Sequence, residues 1–176
     1  MEVVLHDGHR SMPSFVAFID IRRLIGAAAS VNPRNTVSGI MRFVGRKFWD
    51  WEVQAEMNRV PFNIIDKRGK PVISVKYMGE TKVLSPEEIP SMILGRAKDD
   101  TEAHLRSSVQ NALILALAYF NIIQRESIKK AAQICGLNTL QLINAPTVTT
   151  IDHTFTNWPQ GERKFLVVDF GLERSI

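Results

Sequence analysis

The chain has 176 residues, 45% of them hydrophobic, and 22 Lys and Arg against 18 Asp and Glu give a net charge of +4. This is enough apolar material for one domain or one lobe of a larger one, and it excludes a wholly disordered chain. The charges are interleaved, and neither zinc-finger spacing nor the aromatic-and-basic pattern of an RNA-binding sheet is present, so no nucleic-acid partner is expected.

Residues 2–5 are β-rich, Asp7-Gly8 makes a turn, and 15–19 (FVAFI) is a second extended run, so two strands are expected. The first nine residues have neither the basic nor the apolar region of a secretory signal. Asp20 can cap a short helix over 22–29, which Asn32-Pro33-Arg34-Asn35 ends in a turn, and a second helix is expected over 37–44, stopping at Gly45. A basic and aromatic stretch follows (RKFWDW), with Trp49 and Trp51 as candidates for the surface, then a weak helical pattern over 52–59. Residues 62–65, 72–77 and 81–84, separated by KRGK and Gly79-Glu80, read as an antiparallel meander.

Ser85-Pro86-Glu87-Glu88 is a capping box with proline at the first helical position and acids at the positive end of the helix dipole. The helix it opens runs to about Leu105, and Pro90 conflicts with it at a cost of roughly 3 kcal/mol if it falls in a regular turn. Next comes an apolar run, 109–117 (VQNALILAL), which predicts a strand in mid-sheet buried on both faces. Asn121 caps a helix with Gln124 three residues on, Ile128, Ala131, Ala132 and Cys135 form its apolar stripe, and Gly136 ends it. Residues 139–143 (TLQLI) return as a strand parallel to the first, through a right-handed crossover. After Asn144-Ala145-Pro146 a short or frayed helix is expected, and 165–168 is a last strand ending in Asp169-Phe170-Gly171.

The side chains that carry chemistry have plain alternatives. His6 and His9 could share a metal, but histidines beside Asp7-Gly8 are first of all polar turn residues. Asp152-His153 resembles part of a triad only in composition, because adjacent helical residues point about 100° apart. Cys135 belongs to a buried stripe, no multi-cysteine metal site or internal disulfide is available to it, and it fits a reducing, cytoplasmic setting. Arg42, Arg46 and Lys47 could meet phosphate or simply be solvated cations. No apolar segment approaches membrane-spanning length, so no membrane partner is expected.

The stretches PSFVAF, RLIGAAA, NPRNTV, VGRKF, YMGETK, SPEEIPSMIL, AYFNIIQR, GLNTLQLINAPT and FLVVDFG occur in the order of their counterparts in the seventy-kilodalton heat-shock chaperones. The chain resembles that family over nearly its whole length. The resemblance implies an α/β fold: the first lobe of an actin-like, ribonuclease-H-like ATPase, incomplete at its start, with an antiparallel β subdomain over roughly 37–108. Residues 163–176 would be the first strand of a second lobe that, with the peptide-binding domain, is missing. It also implies ATP or ADP with Mg²⁺ as cofactor, and hydrolysis coupled to protein folding in the stress response.

Carried over residue by residue, the implied chemistry is largely lost. The first phosphate hairpin would lie upstream of Met1. The family lysine that reaches the transferring phosphate falls on Met41, which has neither charge nor donor, and the glutamate that organises the metal-bound water falls on Ala145. Of the second phosphate loop Asp169 and Gly171 remain as nucleotide-binding candidates, followed by Leu172-Glu173-Arg174 where glycines would cradle phosphate. The interdomain proline is Leu117, while the following arginine is kept as Arg125. No catalytic residue and no metal ligand is therefore expected, and Asp169, without a second carboxylate beside it, reads first of all as a solvated strand end. Without the family's first two strands the sheet would open beside 109–117, giving an edge prone to self-association. The competing class is a non-catalytic module that binds co-chaperones or full-length chaperone, with Trp49 and Trp51 as anchors; a remnant without function is the third.

Overall fold

The computed structural model describes residues 3–31 and 33–156. Strand β1 (Val16–Phe18) is the centre of a small antiparallel sheet, between β2 (Arg23–Ile25) and β3 (Thr36–Val37). All three residues of β1 are buried.

Two helices expected here do not form. Residues 23–25 are a strand because the turn closed by the Ile19 N–H on the Arg22 carbonyl folds them back onto β1, with Val16 opposite Ile25. Gly26, at φ 81°, ends the pairing, and a 3₁₀ helix (Gly26–Val31) follows. Residues 36–37 are drawn onto the other edge of β1, and Gly39 (φ 60°) and Gly45 (φ 69°) confine what remains of 37–44 to a 3₁₀ turn, Ile40–Arg42. The strand expected at 2–5 is also absent over 3–5. The Asp7-Gly8 turn does form, joining His6 to His9, but no ladder reaches 3–5 among the described residues, and a strand without a neighbour leaves its backbone unpaired.

The meander is present as β4 (Asn63–Lys67), β5 (Lys70–Tyr77) and β6 (Glu80–Leu84), preceded by α1 (Trp51–Met57). Its turns place Arg68-Gly69 and Met78-Gly79 at positive φ, the two-residue geometry that matches strand twist. Helix α2 spans Glu88–Leu105. It starts two residues later than a Ser85 cap would place it, although Glu88 still accepts from the Ser85 N–H at 2.6 Å. Pro90 is thus the third helical residue, in a turn whose N–H groups have no intrahelical acceptor, and the expected conflict does not arise.

Strand β7 (Asn111–Ala116), α3 (Ile122–Ile134) and β8 (Asn138–Asn144) form the expected crossover with parallel strands, and α4 (Ala145–Thr156) follows at once. One expectation fails: β7 is not buried on both faces. Ile114 and Leu142 turn toward α3, but Leu113 (60% exposed) and Leu115 (53%) face out, because among the described residues β8 is the strand's one neighbour and α3 covers one side. Two apolar clusters result. The larger joins β1, the meander, Phe43, Phe48, Val53 and Ile89, and the smaller holds Ala116, Phe120 and Ile128.

Candidate functional site

Ligands of open α/β sheets gather beyond the carboxyl ends of parallel strands, which here are Ala116 and Asn144. Past Ala116 the chain loops through Leu117 and Phe120 to Asn121, whose side chain accepts the Gln124 N–H at 2.9 Å while the Gln124 side chain accepts the Asn121 N–H at 3.1 Å. The predicted capping box is therefore complete, and it fixes the loop against α3. Arg125, one position on, donates from Nε to the Phe120 carbonyl at 3.0 Å and from Nη2 to Asn144 Oδ1 at 2.6 Å, and Nη2 also lies 3.4 and 3.5 Å from the Ala118 and Leu117 carbonyls. One guanidinium thus ties the end of β7 to the end of β8.

Met41 comes to this site from the other side. Its half-buried side chain packs against the meander cluster and against the Ala116, Phe120, Ile128 cluster at once, so it is an apolar bridge between them. Gly45 sets the approach: at φ 69° a Cβ there would lie 2.9 Å from Gln124 Cα, which no side chain tolerates without backbone movement. Between Met41, Phe120, Gln124 and the exposed Trp51 and Tyr119 lies a cleft of about 290 Å³. Its carboxylates are committed: Glu52 to Arg46, Glu56 to Arg42 and Arg59. Ala145 opens α4 directly after Asn144, half-buried and without a polar group.

Arg42 and Arg46, the sequence candidates for phosphate, are held in these ion pairs, and Lys47 is exposed. Leu117 packs into the smaller cluster. Asp169 and Gly171 lie outside the described residues, as does the strand expected at 165–168. Near the strand ends the structure places a thioether, Met41, and a methyl, Ala145, and no group of three possible metal ligands occurs among the described residues.

Elsewhere, His6 is more than a turn residue. It is buried, with Nδ1 2.6 Å from Asp100 Oδ2, and Arg96 bridges Asp100 and Asp7, so the N-terminal segment is pinned to α2. His6 and Asp100 are 94 positions apart, and no local pattern signals their pairing. Cys135 is half-buried with its Sγ 3.1 Å from the Ala132 carbonyl, and burial pushes its thiol above the ordinary range, in line with a packing role. Asp152 and His153 lie on α4, with side chains outside the described residues.

A sequence profile of the family described as Hsp70 protein matches residues 2–173. The chain belongs to that family. A heat shock 70 kDa protein of Neurospora crassa is 49% identical over 175 residues, covering 97% of this chain and 27% of its own length. The heat shock 70 kDa protein 2 of Paracoccidioides lutzii is 47% identical over 176 residues, again 97% of this chain and 27% of its own length. A ribosome-associated molecular chaperone of Saccharomyces cerevisiae is 44% identical over 177 residues, 97% of this chain and 29% of its own length. The chain therefore spans about a quarter of the curated relatives it matches. Membership implies the actin-like nucleotide-binding fold of Hsp70, with Mg²⁺ as the family's co-ligand, and the structure is α/β, with two antiparallel sheets and one parallel pair among the described residues. No helix among the described residues is long and apolar enough to cross a membrane.

Proposed function

We propose that these 176 residues are part of the first lobe of an Hsp70 nucleotide-binding domain and that by themselves they have little or no ATPase activity. On this reading 37–108 is the lobe's β-rich subdomain and 163–176 begins the second lobe. The observation that carries the proposal is the packing of Met41. It stands where the family places its phosphate-reaching lysine, and it is spent on joining two apolar clusters. Ala145 repeats the argument at the metal-bound water. Asp169 and Gly171 remain the nucleotide contacts that the resemblance would leave, and the reducing cytosol is the compartment suited to the lone Cys135 thiol.

Calorimetric titration with Mg-ATP tests this directly, with a Met41→Lys plus Ala145→Glu variant alongside. No saturable heat from the wild-type chain is expected. Saturable binding by the wild type would overturn the proposal, and binding by the variant alone would show that these two positions decide the loss.

A second reading, a non-catalytic module for co-chaperones or full-length chaperone, is favoured by exposed apolar surface. Trp49 and Trp51 are 72% and 78% exposed, and Leu113 and Leu115 stand uncovered on β7. Pull-down of Hsp70 or a co-chaperone that is indifferent to nucleotide and lost on replacing both tryptophans would support it.

A further inference from the structure

We propose that the basic groove between the start of β5, the turn at Gly45 and helix α3 is a docking site for an acidic protein segment carrying apolar side chains. The groove encloses about 720 Å³ and does not include Met41 or Ala145, so the inference stands whether or not nucleotide binds. Its size is within the roughly 300–1,000 Å³ of ligand-binding clefts.

The charge of the groove is unbalanced. Five Lys or Arg residues line it against two carboxylates, Glu87 and Glu126. Arg46 is paired with Glu52 from outside, Lys129 with Glu126 at 2.7 Å, and Glu87 accepts from the Ser127 hydroxyl at 3.0 Å. That leaves Lys47, Lys70 and Lys130, from three separate elements, with no carboxylate at ion-pair distance among the described residues. Cations brought together by tertiary folding without counter-charges raise the local concentration of anions and set the register of an acidic partner.

The floor is apolar. Pro71 and Val72 form it, and Ile123, 65% exposed on the first turn of α3, stands at its side. An apolar floor with a cationic rim suits a peptide in which leucine or phenylalanine alternates with aspartate or glutamate. It suits a nucleic acid poorly. Phe43, the groove's lone aromatic, is 1% exposed and offers no platform for base stacking, and Glu87 and Glu126 would face the phosphates.

The test is fluorescence anisotropy of a labelled acidic peptide with interspersed leucines on the whole 176-residue chain, beside a peptide in which lysine replaces each acid and a single-stranded oligouridylate. Binding of the acidic peptide alone is expected, weakening as salt rises from about 50 to about 300 mM. A Lys47→Glu, Lys70→Glu, Lys130→Glu variant should lose affinity by about tenfold or more, while Arg10→Glu, Arg23→Glu, Lys82→Glu, equal in charge but away from the groove, should change it less than about twofold. Ile123→Ala, which alters no charge and removes an exposed side chain, should weaken binding severalfold. Equal losses in the two triple variants, no effect of Ile123→Ala, tighter binding of oligouridylate or no binding of the acidic peptide would each overturn the proposal.

Discussion

The methionine at position 41 is first a packing fact. Met41 touches both apolar clusters, so a lysine there must either bury its ammonium or withdraw its stem and open a gap. Met41→Lys should lower stability by about 1–3 kcal/mol, and Met41→Leu by less than about 1.5 kcal/mol, read as shifts of the urea midpoint at constant slope. If lysine proved neutral, the seam would be open enough to hold a cation. Cys135 gives a second residue-scale expectation. Burial raises its thiol above the ordinary value, so the folded chain keeps the proton where an unfolded chain releases it. Alkylation at neutral pH should therefore lag behind a free cysteine. This group's contribution to stability is complete below the ordinary thiol value and begins to be lost as pH climbs past it. A rate equal to that of free cysteine would mean that the C-terminal turn of α3 opens readily.

The cap of α3 decides more than one helix. Asn121 and Gln124 satisfy two otherwise orphaned N–H groups, and Arg125 in the same turn holds the ends of β7 and β8 together. Asn121→Ala should cost about 1 kcal/mol, and amide exchange should show it as faster opening over 117–125 with the meander unaffected. This element is readable in sequence because capping residues, an apolar stripe and a left-handed glycine are all local signals. The segments 22–29 and 37–44 read wrongly as helices for the opposite reason. Residues Arg23, Leu24 and Ile25 suit helix or strand alike, and the choice is made by the buried backbone of β1, which can be satisfied only by strands on both of its edges. Pro90 shows how a boundary matters: shifting the first helical residue from 86 to 88 removes the whole expected penalty.

Across the molecule as a whole, opening is expected first along β7. The strand pairs with β8 alone among the described residues, and Leu113 and Leu115 are uncovered beside its free edge. An apolar edge of this kind is a template for another chain. Amides of Asn111–Ala116 should exchange well before those of β5, and sedimentation should show association that rises with concentration and falls in a Leu113→Lys, Leu115→Glu variant. Strong protection of β7 in a dilute monomer would mean that its edge is covered in solution.

The sequence alone determined the β-meander, the course of α2, the capped helix α3 and its parallel strands, and the family. Each rests on neighbours within one turn, one hairpin or one crossover, or on stretches kept in order along the chain. Other features needed the tertiary structure. Only packing shows that Met41 bridges two clusters, that Arg125 joins two strand ends, that His6 meets Asp100, and that Lys47, Lys70 and Lys130 share one groove. These depend on distances between residues tens of positions apart, and no periodicity encodes them. The edges of β1 belong with them, because a strand exists only where another backbone lies alongside it.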